Sequence, residues 1–147
     1  MCTICLVNKK ESTLCRLFCL QNKNLTDLIT PTLLYSTELA GDGSVHTITL
    51  DKDFTSFKNL KITAFDHYNM TNIVYFTSNI DVALLNEGKL VTMVCGGHVE
   101  GQGQHNAGLC TGEIAVKKIS NNSIDVSAKQ NVPYWTRIIT KIEGMRY

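Results

Sequence analysis

After Pro31 the chain alternates apolar and polar residues with a period of two, in short runs punctuated by Gly, Asn and Asp, and this pattern constrains the fold more than anything else in it. Period two places successive side chains on opposite faces of a strand, so each run predicts a strand with one face buried. The runs fall at 32–36, 45–50, 60–65, 73–77, 82–85 (the weakest), 90–95, 113–119, 123–128 and 137–143. Turn chemistry separates them: AGDGS at 40–44, a polar bend at 51–56 with Phe54 and Phe57 beneath it, a turn at 66–72, NEG at 86–88 and Asn121-Asn122. About nine strands with no helical period between them predict an all-β fold, an antiparallel β-sandwich of jelly-roll type.

Before Pro31 the period is different. Leu14, Leu17, Phe18, Leu25, Leu28 and Ile29 recur at helical spacing, and Thr30-Pro31 ends the pattern because the residue before proline is pushed out of the helical region. The expected organisation is therefore a short N-terminal helical segment, residues 1–30, followed by a β-sandwich domain, residues 31–147. Alone in water such a helix is marginal, so it needs a partner surface.

Charge narrows the function classes. Fourteen basic against thirteen acidic residues leave a net charge of +1, with no basic block longer than a Lys-Lys pair, so neither nucleic acid nor an anionic membrane is an expected partner. The apolar runs fall far short of the roughly 20 residues needed to cross a bilayer. Lysines follow the first apolar run instead of preceding it, so the expectation is synthesis in a cytoplasm without a signal peptide, with reduced thiols. Cys2, Cys5, Cys15 and Cys19 have spacing that four zinc ligands would tolerate. Ile4, Leu6, Leu17, Phe18 and Leu20 around them favour buried thiols instead.

Four segments together resemble a known family: LLYST at 33–37, SVHTITLDKDFTSFKNLKITAF at 44–65, KKISNNSIDVSA at 117–128 and ITKIEGMRY at 139–147. They are similar to the C-terminal β-sandwich domains of bacteriophage tail-fibre and receptor-binding proteins, in which comparable strands lead through a glycine turn, a bend over phenylalanines and a late hairpin to a closing strand. The resemblance covers most of the chain after Pro31, and its motifs are structural. It implies a virion appendage, trimeric, that contacts other virion proteins and binds a host surface molecule, a glycan or a protein, through its loops. A structural virion component, decorating a capsid or assisting tail assembly without a receptor of its own, is the alternative.

The least core-like stretch is GGHVEGQGQHNAGLCTG at 96–112. His98, Glu100, Gln102, Gln104, His105 and Asn106 supply the paired donors and acceptors that sugar hydroxyls require, on the kind of long connection that often carries function. Tyr134 and Trp135, after Pro133, offer rings that stack on sugar faces. These eight residues form the expected receptor site; no cofactor and no catalysis are expected. Two weaker possibilities use the same region. Cys95, His98, His105 and Cys110 have the donor types of a zinc site, although facing core thiols explain the cysteines without metal. Cys95 with His98 or His105 as base and Glu100 as orienter is the one nucleophilic set that neighbouring positions supply, held among glycines too loosely for preorganised catalysis. Asp66, Asp81, Glu87 and Glu100 are the carboxylates from which a glycosidase-like pair would have to come.

Overall fold

The computed structural model describes residues 25–27, 29–68, 72–99, 108–130 and 136–147. The backbone divides into two units, one of residues 31–146 and one of residues 1–30 with Tyr147. Of the helix expected over 12–29, residues 25–27 and 29 are helical, and the remainder lies outside the described residues.

The larger unit is mostly β. In chain order its strands are β1 (Thr32–Tyr35), β2 (Leu39–Gly41), β3 (His46–Thr49), β4 (Asn59–Tyr68), β5 (Asn72–Asp81), β6 (Val91–Val99), β7 (Gly108–Ser120), β8 (Ser123–Gln130) and β9 (Thr136–Met145). They form two antiparallel sheets. The first has the order β1-β9-β4-β5, with β2 also paired to β9, and the second the order β3-β8-β7-β6. Alternation decides which side chains are buried. Ile124, Val126 and Ala128 on β8, Ile114 and Val116 on β7, and Leu60, Ile62 and Ala64 on β4 all enter one hydrophobic cluster, which draws on both sheets. Burying each Leu or Ile of this kind contributes about 1.5–3 kcal/mol.

One irregularity preserves that burial along β9. Arg137 and Ile139 share one parity while Ile142 and Gly144 share the other, yet all four are buried. The register against β4 slips between Thr63 and Ala64, where Lys141 and Ile139 are the successive partners, so Thr140 is the extra residue of a β-bulge. Its hydroxyl donates to the Thr63 carbonyl at 3.3 Å. The bulge turns a change of phase in the sequence into a strand whose apolar side never leaves the core.

Several local expectations are corrected. Residues 82–85 are not a strand but part of helix α1 (Val82–Asn86): the Asp81 carboxylate accepts from the Ala83 N–H at 2.8 Å and caps it, while Val82 and Leu85, three apart, turn into the core. The turn chemistry at 40–44 starts later than expected, because Leu39–Gly41 pairs with β9 as β2. The bend before β4 does cover two phenylalanines: a 3-10 turn at Phe54–Ser56 follows Asp53, and Phe54 and Phe57 are both buried. Among the described residues no helix is long and apolar enough to cross a membrane.

Candidate functional site at the hairpin end

The registers bring three connections to one end of this unit. Asp66 on β4 faces Arg137 on β9 and Val74 on β5. In the other sheet Cys95 on β6 faces Gly112 on β7, which in turn faces Gln130 on β8. The two rows are joined, since Gln130 Nε2 donates to Asp66 Oδ2 at 2.6 Å and Arg137 reaches Cys95. Beyond these rows lie the strand ends that lead into 69–71, 100–107 and 131–135.

At their centre Arg137 and Asp66 are fully buried. Arg137 Nε donates to Asp66 Oδ1 and Nη2 to Asp66 Oδ2, each at 2.8 Å, the two-pronged geometry that a planar guanidinium offers a carboxylate. Nη2 also donates to the Cys95 carbonyl and Nη1 to Cys95 Sγ, both at 3.1 Å. The Phe76 ring lies 4.4 Å from the guanidinium carbon, adding a cation–π face. A buried charge is costly unless it is paired and hydrogen-bonded, and here each member meets that condition through the other. Gly112 supplies the space: a Cβ built there would stand 2.8 Å from Nη1 and collide with the Lys129 carbonyl oxygen.

Cys95 is half-buried, and burial pushes its thiol above the ordinary value. The Arg137 charge and hydrogen bonds from Ser78 and Arg137 pull the other way without cancelling it. The sulfur is thus a protonated acceptor for a guanidinium, which is the reverse of an activated nucleophile.

The hairpin of β6 and β7 extends past this centre. β8 ends at Gln130, opposite Gly112, whereas Gly96, Gly97, His98 and Val99 continue to pair with Thr111, Cys110, Leu109 and Gly108. Four residue pairs make a two-stranded ribbon that projects roughly 14 Å beyond β8 at 3.4 Å per residue.

Of the expected receptor residues, position 98 lies in this ribbon; Glu100, Gln102, Gln104, His105 and Asn106 lie in 100–107, and Tyr134 and Trp135 in 131–135, both outside the described residues. Strand ends belonging to both sets nevertheless sit at this end of the unit. Of the weaker metal and nucleophile sets, the side chain of Cys95 is described, while those of positions 98, 100, 105 and 110 lie outside the described residues. Among the described residues no group of three His, Cys, Asp or Glu side chains gathers as a metal site. Asp66, spent on Arg137, is at the hairpin end, while Asp81 caps α1 and Glu87 pairs with Lys89 at 2.6 Å at the other end.

The pair that sequence reading missed is Asp66 with Arg137. A signal existed: Arg137 holds the same parity as Ile139, and Asp66 the same parity as Ile62 and Ala64. Two opposite charges in core phase are the mark of a buried pair. The chain matches no protein-family model, no curated protein and no solved structure.

Proposed function

We propose that residues 31–146 are a β-sandwich recognition module of a bacteriophage virion appendage, which binds a host surface receptor, a glycan by preference, through the connections at the hairpin end. The observation that carries this reading is the ribbon of β6 and β7, which runs four residue pairs past the end of β8 and leads into the polar 100–107 segment. Supporting it are the single cluster of apolar residues drawn from both sheets, the buried Arg137–Asp66 pair that fixes the strand ends beneath the loops, and the resemblance of the 33–37, 44–65, 117–128 and 139–147 segments to tail-fibre domains. A rigid scaffold with recognition confined to connections is a common division of labour in β proteins.

The test is binding of the protein to an array of bacterial surface glycans and to intact bacterial cells, with and without replacement of 100–107 by a two-residue turn. Loss of binding on replacement is the expected result, and undiminished binding removes the loop from the site. The competing reading, a structural virion component, is favoured by exposed Leu90 and Val94, which suit contact with other subunits. Absence of any receptor on both arrays and cells would favour it.

A further inference from the structure

The chain leaves the second sheet at Gln130, the last residue of β8, and enters the first at Thr136, the first residue of β9. Asp66 lies on neither strand, yet its Oδ2 accepts hydrogen bonds from both sides of this crossing, from Gln130 Nε2 at 2.6 Å and from Arg137 Nη2 at 2.8 Å. One carboxylate oxygen thus joins the residue just before the 131–135 connection to the second residue after it. Arg137 carries the tie further, since Nη2 also donates to the Cys95 carbonyl at 3.1 Å, at the base of the β6–β7 ribbon that leads into 100–107.

Gln130 has the parity of Ile124, Val126 and Ala128, so the pleat turns it inward, where an amide is costly unless it finds a partner. It faces Gly112, whose missing side chain leaves room beside Arg137. An amide that donates to a carboxylate makes a charge-assisted hydrogen bond, stronger than a neutral one. Its loss would still leave Asp66 paired with Arg137 through the two 2.8 Å bonds. Gln130 therefore adds something that the charge pair does not need for its own neutralisation.

Six Cα steps separate Gln130 from Thr136, a reach of about 20 Å, while sheets packed on one core lie about 10 Å apart. A connection about twice as long as its span takes its course from how its ends are held. We infer that Gln130 is a positioning residue: its bond to Asp66 locks together the two roots of the 131–135 connection and, through Arg137, sets them against the base of the ribbon, so that the connections at the hairpin end are presented as one preorganised surface. The consequence for binding rests on the receptor reading above, whereas the lock itself does not. Without the bond, ordering of the roots is deferred until the receptor is engaged and is subtracted from affinity.

Two substitutions in the intact chain test the lock. Gln130→Met keeps the length of the side chain and deletes the donor. Hydrogen exchange should then quicken at 129–130 and 136–138 while keeping its wild-type rate at 114–116. Acrylamide quenching of Trp135, the one tryptophan of the sequence, should rise, and receptor affinity should fall about tenfold. Gln130→Glu sets a second carboxylate against Asp66 and should open the lock at pH 7. Protonation, favoured by that same repulsion, turns it into a donor, so acidification to about pH 5 should return its quenching to that of the wild type at the same pH. Gln130→Met should show no such recovery. Unchanged exchange at the roots in Gln130→Met, loosening that spreads equally to 114–116, or a Gln130→Glu variant indifferent to acid would each overturn the inference, as would undiminished affinity of Gln130→Met for a receptor that the wild type binds. A wild type that binds no glycan and no cell sinks the receptor reading alone, and exchange and quenching then decide the lock.

Discussion

Arg137 and Asp66 face each other across β4 and β9 and are joined by two 2.8 Å hydrogen bonds with neither side chain exposed. Removing one partner strands the other charge in the core, so Arg137→Ala or Asp66→Ala should each destabilise the fold by about 3–5 kcal/mol. Replacing both by apolar residues of similar volume should cost far less than the two single losses together. Chemical denaturation of the four members of this double-mutant cycle measures the coupling, and strictly additive losses would show that the pair is not a unit.

Gly112 is where the opposite sheet makes room for that guanidinium. Alanine there must displace either Arg137 or the β8 backbone at Lys129. A loss of about 1–3 kcal/mol is expected for Gly112→Ala, the usual magnitude of overpacking. The same substitution should cost less in an Arg137→Met background, where the fork of nitrogen atoms is gone; an equal cost would assign the clash to the backbone alone.

The thiol of Cys95 sets an alkaline limit. Its folded-state titration lies above the ordinary value of 9.0, so the proton is held more tightly in the folded chain than in the unfolded one. The corresponding stability is fully present below pH 9.0 and is lost as pH rises through the folded value. Cys95→Ser should flatten this part of the pH–stability curve. Mass-spectrometric labelling with iodoacetamide should find Cys95 alkylated in native protein only at more alkaline pH than a free thiol; rapid modification near neutrality would contradict the raised value.

Loop replacement separates scaffold from reader. The core lies below the Cys95–Gly112–Gln130 row, so joining Val99 to Gly108 by Asn-Gly should shift stability by only about 0.5 kcal/mol, as surface changes usually do. Receptor binding, followed by the glycan array, should disappear. A severe loss of stability would mean that 100–107 belongs to the scaffold.

The alternation of apolar residues made the strands legible, together with the inward faces of β4, β7 and β8, because a half-buried strand writes its burial into every second letter. Residues 82–86 misled for a local reason: VALLN is as apolar as a strand, and the Asp81 cap that makes it a helix is a single residue. Thr140 was invisible since a bulge changes the phase without changing the composition. Gly41 and Gly112 looked alike as turn formers, yet both lie in strands, one against the Arg137 carbonyl and the other under its guanidinium. The buried pair was readable only by taking phase and charge together. Which connections share an end depended on register between distant strands, a relation that alternation within each strand does not encode.

The position of β9 between β1 and β4 has a consequence for biosynthesis. Among the described residues neither β1 nor β2 pairs with any strand of its sheet other than β9, so both wait for the 136–145 stretch to leave the ribosome. Earlier segments emerge with their apolar sides uncovered, so the first sheet stays incomplete, and open to aggregation, until β9 arrives.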